Sequence, residues 1–143
     1  MTLDELLTEF EELQDWEEQC DYLIDLGFDL PPFPEEDRID ANIVQGCQSR
    51  VWLTASLEPG VPSGPVILKA DSDAIIVKGL IAVLMAAYAN QTPRQILETN
   101  IEGLFERMGL NRHLSSNRRN GLRGMVDRIR GFAARQLSSC AST

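Results

Sequence analysis

VWLTASL at 51–57, VILKA at 66–70 and DSDAIIVKGLIAVLMAAY at 71–88 decide the fold. In the first stretch Val51, Leu53, Ala55 and Leu57 alternate with Trp52, Thr54 and Ser56. Side chains on a strand point to opposite faces in turn, so this alternation predicts a half-buried strand. The run Val66-Ile67-Leu68-Lys69-Ala70 predicts another, after a turn region carrying Pro59, Gly60, Pro62, Ser63, Gly64 and Pro65. The period then changes. The third stretch is apolar almost all round, as a central helix packed on a sheet must be. Ser72 or Asp71 is positioned to cap that helix, which is expected to reach about Ala89.

Upstream, residues 42–46 predict a further strand, joined to the one at 51–57 by the short GCQS turn. A three-stranded antiparallel meander is the simplest sheet. Before it lies LPPFPEEDRIDA, an extended linker rich in proline and acid. Two helices open the chain. Thr2 with Glu5, and Asp15 with Glu18, have the spacing of capping boxes. Trp16, Cys20, Leu23, Ile24 and Gly27 recur at helical spacing, and Gly27 stands where the second helix stops. Downstream, Thr92-Pro93 starts one short helix and Asn100 another that ends at Gly109. An amphipathic helix over 117–137 turns Leu122, Met125, Val126, Ile129, Phe132 and Ala133 inward and its arginines outward. The order helices, sheet, helices predicts a single α+β domain over 1–143: a small antiparallel three-stranded sheet packed against helices, with a frayed tail from about 138.

The 143 residues suffice for one real core, and 43% hydrophobic content excludes a mainly disordered chain. No apolar run has the length of a membrane span; the longest is interrupted by Lys78 and Gly79. The acidic, amphipathic N-terminus has neither the basic start nor the apolar centre of a secretory signal. Cys20, Cys47 and Cys140 are widely spaced and odd in number, which fits a reducing, cytoplasmic compartment. With His113 as the one histidine and no close cysteine pair, no metal-site spacing exists. The formal net charge of −9 opposes nucleic-acid or membrane binding as the main task. Yet residues 1–40 sum to −14, and residues 107–135, with eight arginines, to +7. Most of these charges read as solvated helix faces; a partner can use either patch for steering.

Cys47 is the chief chemical candidate. Gly46 before it and Gln48-Ser49 after it place the thiol at a turn between strands, and Arg50 nearby favours the thiolate. The competing reading is a buried small hydrophobe, the usual fate of a free cysteine. Cys20 lies on an apolar helix stripe and reads as core, and Cys140 sits in the Ser-rich tail. His113 lacks the acid spacing of a catalytic base. Capping explains Asp71 and Asp73 more simply than an acid pair or a metal site does.

VQGCQSRVWL at 44–53, DSDAIIVKGLIAVLMAAY at 71–88 and NRRNGL at 117–122 closely resemble the SufE family of sulfur-acceptor proteins. DWEEQCDYLIDLGFDLPPFPEE at 15–36 is similar to that family's N-terminal helix and linker. The resemblance implies a small α+β domain related to the scaffold proteins of iron–sulfur assembly. It implies a protein that takes sulfane sulfur from a PLP-dependent cysteine desulfurase as a Cys47 persulfide, stimulates that enzyme and passes sulfur to an iron–sulfur scaffold complex. Gly46, Gln48 and Ser49 match the family's loop, Trp52 its following strand, Asp73 its SDA segment, and Arg118 and Asn120 its last motif. No cofactor is expected on this chain, PLP belonging to the desulfurase, and the free protein is expected to be a monomer. Two other classes compete: a stand-alone thiol enzyme, which needs a base or resolving cysteine near Cys47, and an interaction module with an unreactive Cys47.

Overall fold

The computed structural model describes residues 2–44, 49–58, 60 and 64–141, with side chains through 138. Strand β1 (Val51–Leu57) pairs antiparallel with β2 (Val66–Ser72), in a register that sets Val51 opposite Ser72 and Leu57 opposite Val66. This register puts Val51, Leu53, Ala55 and Leu57 on the face shared with Val66, Leu68, Ala70 and Ser72, and that face lies on the core. Trp52, Thr54 and Ser56 share the outer face with Asp71, Lys69 and Ile67. Both strands keep the alternation that the sequence carries.

Among the described residues the sheet has two strands rather than three. Asp40–Asn42 is a turn of 3-10 helix, which uses up the start of the expected strand. What remains is one isolated bridge, Ile43 to Trp52, and the bond from the Val44 N–H to the Val51 carbonyl at 2.8 Å. Residues 45 and 46 of the expected strand, with the GCQS turn through Gln48, lie outside the described residues.

Helices α1 (Leu3–Glu11) and α2 (Trp16–Phe28) begin at Thr2 and Asp15, whose side chains accept the N–H of Glu5 and of Glu18. Glu18 returns a bond to the N–H of Gln14, one residue before the cap. The helix α3 (Ile75–Ala87) follows β2 and packs most closely against α2. At that crossing the two backbones nearly touch. An ideal Cβ at Gly27 would stand 2.7 Å from Lys78 Cβ, and one at Gly79 would collide with the Leu23 carbonyl. Gly27 therefore serves close packing inside the last turn of α2, and the helix runs one residue beyond it.

Helix α4 (Pro93–Glu98) has the reciprocal capping box, with Thr92 and Gln95 each bonding the other's backbone N–H. The short helix expected from Asn100 to Gly109 is α5 (Ile101–Arg107), and the φ of +72° at Gly109 separates it from a further short helix, α6 (Leu110–His113), that lies beyond the expected one. The last helix, α7 (Ser116–Ala141), is longer than expected and includes the stretch read as tail. Its Leu122, Met125, Val126, Ile129 and Ala133 are buried, closing a single core with α3 and the sheet.

Candidate functional site

The segment carrying Cys47 lies between Val44 and Ser49. Gly46, Cys47 and Gln48 are outside the described residues, but both stems are fixed in detail. On the N-terminal stem, the Val44 N–H donates to the Val51 carbonyl at 2.8 Å. Arg128 of α7 donates to the Ile43 carbonyl at 2.8 Å and to the Ala41 carbonyl at 2.5 Å. On the C-terminal stem, the Arg50 N–H donates to Asp73 Oδ1 at 3.1 Å, and the Asp73 N–H donates to the Arg50 carbonyl at 3.2 Å. The Ser72 hydroxyl donates to the same carbonyl at 2.8 Å and accepts the Ala74 N–H.

These bonds revise the roles read for Ser72, Asp71 and Asp73. Ala74 is the N-cap of α3 and makes no side-chain cap bond. Ser72 holds the turn into that helix through the Ala74 N–H, and Asp73 clasps the loop stem. Asp71 faces Trp52 across the sheet and pairs with Arg38 Nη2 at 2.5 Å and Lys78 Nζ at 3.4 Å. Burial alone would push its carboxyl up; the bond from Arg38, helped by the Ser72 N–H and Lys78, outweighs this and holds it below the usual 3.8. The bond to Asp71 in turn raises the Arg38 guanidinium. Arg38 also stands over the rings of Trp52, at 5.0 Å, and Phe33, at 5.4 Å. Trp52 thereby ties the linker to the strand that follows the loop.

Beside the stems lies a cavity of about 140 Å³. Val51, Val77, Leu80, Leu122 and Met125 form its apolar walls, and Ser49, Ser115, Asn117 and Arg118 its polar lining. Ser49 therefore connects the Cys47 segment to this cavity. Arg118 faces it from the first turn of α7. The structure thus brings Ser49 and Arg118 together, sets Arg50, Trp52 and Asp73 at the stem, and separates Asn120. That residue lines a different, more polar cleft with Arg119 and Arg123.

The other sequence candidates settle into structural roles. Cys20 is half-buried on α2; burial, then Asp21, pushes its thiol up, while Arg118 pulls it down. His113 stacks on Trp16, with ring centroids 4.7 Å apart and planes 4° from parallel. No group of three or more metal-ligating side chains occurs among the described residues. None of their helices is long and apolar enough to cross a membrane. Arg128 and Arg130, expected to point outward, both reach inward to backbone carbonyls, Arg130 to Ile96 and Leu97. Their spacing on the apolar helix, one residue either side of buried Ile129, is the only trace of this in the sequence.

Comparison with known proteins agrees with this architecture. A SufE-like protein of Rhizobium etli, itself uncharacterized, is 42% identical over 130 residues, covering 90% of this chain and 87% of its own. An uncharacterized SufE-like protein of Rhizobium meliloti is 38% identical over 136 residues, covering 95% of this chain and 97% of its own. The solution structure of a hypothetical protein from Thermus thermophilus superposes with a TM-score of 0.74 over 96% of this chain and 99% of that one, and at 23% identity it attests the fold. The model of the SufE family, described as an Fe-S metabolism associated domain, matches residues 4–133. By that match and those relatives, this chain belongs to the SufE family.

Proposed function

We infer that this chain is a cytoplasmic sulfur acceptor that serves iron–sulfur cluster assembly, with Cys47 as the accepting thiol. The donor is the cysteine persulfide of a PLP-dependent desulfurase. The Cys47 thiolate attacks the outer, sulfane sulfur. A new S–S bond forms on Cys47, the donor's S–S bond breaks, and the donor cysteine leaves as a thiolate. The product is a Cys47 persulfide carrying the transferred sulfur and its proton. No electrons enter or leave the pair of proteins, so the step needs no redox partner. The sulfur then passes by the same displacement to a thiolate on an iron–sulfur scaffold complex.

One observation carries this reading: the segment holding Cys47 is tied at both stems beside a cavity with apolar walls and with Arg118 on its polar lining. A thiol that must enter another protein's active site needs a loop on a rigid base. A persulfide that must survive cellular thiols needs an apolar recess for its return, and a cation there favours its anionic form. Desulfurase turnover tests the reading. Added to a desulfurase with cysteine, this chain is expected to raise the rate of alanine formation, and Cys47→Ser to abolish the increase. Equal stimulation by both proteins would overturn it.

A further inference from the structure

The arginines of α7 do not act alike. Arg130 bonds the carbonyls of Ile96 and Leu97, at the end of α4 and remote in sequence from the Cys47 segment. Arg128, two residues earlier, reaches the carbonyls of Ala41 and Ile43. Ile43 makes the bridge to Trp52, and the next residue, Val44, is the last one before the Cys47 segment. The turn Asp40–Asn42 is followed only by the Ile43 bridge and the Val44 N–H bond to Val51 among the described residues, so a two-pronged, charge-assisted anchor matters there. The same α7 supplies Arg118, Leu122 and Met125 to the cavity. Through Arg128, one rigid helix therefore sets both the cavity and the near stem of the segment.

We propose that Arg128 is a positioning residue for sulfur acceptance, fixing the N-terminal stem of the Cys47 segment in register with the cavity through the Ala41 and Ile43 carbonyls. The proposal rests on Cys47 being the acceptor. Arg128 touches neither sulfur, so its effect falls on how often Cys47 stands in the productive position. Lysine, with one compact ammonium in place of a planar fork, restores only part of the anchor.

The test compares Arg128→Met, Arg128→Lys and Arg130→Met in the full chain. Arg130→Met removes arginine-to-carbonyl bonds from the same helix, longer ones made by Nη1 alone, to carbonyls remote in sequence from the segment. Two readouts are taken: the rate of Cys47 alkylation by iodoacetamide, followed on the Cys47 peptide by mass spectrometry, and the kcat and KM of sulfur transfer from a desulfurase. Arg128→Met is expected to speed alkylation about fivefold or more, since losing one or two hydrogen bonds shifts a local opening equilibrium by that factor. It is expected to lower transfer kcat about tenfold with KM little changed, the cost of a misplaced reacting atom. Arg128→Lys should fall between, and Arg130→Met should match the unmodified chain in both readouts at a similar loss of melting temperature. Equal effects of Arg128→Met and Arg130→Met, or no effect of either, would overturn the proposal. If Arg128→Met does not fold, Arg128→Lys against Arg130→Met decides by the same criteria. A chain whose Cys47 takes no sulfur even without substitution would refute the acceptor reading, while the alkylation rates still judge Arg128.

Discussion

Asp73 and Arg50, 23 residues apart, hold each other twice: Asp73 Oδ1 accepts the Arg50 N–H at 3.1 Å, and the Arg50 carbonyl accepts the Asp73 N–H at 3.2 Å. The clasp sits where β1 begins and β2 has just ended. It therefore joins the exit of the Cys47 segment to the entrance of α3.

Asp73→Ala removes one bond of the clasp and leaves the other to the backbone. The expected cost in global stability is about 1 kcal/mol, because the side chain is exposed and its replacement bonds are to water. The local effect should be larger than the global one. Hydrogen exchange at the Arg50 amide should accelerate while amides of α3 remain protected. Unchanged exchange at Arg50 would contradict the clasp.

The Arg38–Asp71 pair makes stability depend on acid. Asp71 has its folded carboxyl below the usual 3.8, so its contribution is complete above the unfolded value and is lost as pH falls through the folded one. With side chains 26% and 15% exposed, the pair is sheltered enough to matter. Asp71→Asn should cost about 1–2 kcal/mol at neutral pH. The gap between the two proteins should then narrow below about pH 4. Denaturant titrations at several pH values give the comparison, and parallel stability curves would contradict it.

At the other end of the scale, burial pushes the Tyr88 hydroxyl up to about 12, and it has no hydrogen-bond partner among the described residues. A raised folded value means stability that is present below about pH 10, the unfolded value, and is lost as pH rises towards 12. Tyr88→Phe removes an unsatisfied buried hydroxyl, so it should be neutral or slightly stabilising at pH 7. It should also weaken the alkaline decline. Tyr22, bonded to Glu9 and likewise raised, adds a decline of the same sign in both proteins. A marked loss of stability in Tyr88→Phe at pH 7 would show that the hydroxyl has a partner.

Gly79→Ala tests the α2–α3 crossing. The added methyl would collide with the Leu23 carbonyl, a backbone atom that cannot swing aside, so the helices must part. A loss of about 1–3 kcal/mol is expected, the usual cost of overpacking. Ala at this position without loss would mean that the crossing is looser than its geometry.

How much of this is legible in the sequence depends on what each signal records. The period-two alternation of Val51 to Leu57 and the apolar run after Ala74 name their elements, because burial imposes those periods directly. Thr92-Pro93 names its helix because the cap and the proline need only local geometry. Among the described residues the strand expected from Asn42 is reduced to one bridge at Ile43, because so short a window cannot reveal that a 3-10 turn uses its first residue. The arginines of α7 mislead for another reason: a sequence records charge but not reach. Arg128 and Arg130 flank Ile129, and only the folded chain brings the Ile43 and Ile96 carbonyls within range. Motifs name both Ser49 and Arg118, while the cavity between them needs apolar residues drawn together from β1, α3 and α7.

The central claim is that Cys47 carries the sulfur, and peptide mass spectrometry after incubation with a desulfurase, PLP and cysteine tests it most directly. The account predicts the added mass of one sulfur atom on the Cys47 peptide, removed by a thiol reductant, with none on the Cys20 or Cys140 peptides and with acceptance retained in Cys20→Ser. Sulfur found on Cys20 or Cys140 with Cys47 unmodified, or acceptance undiminished in Cys47→Ser, would contradict it.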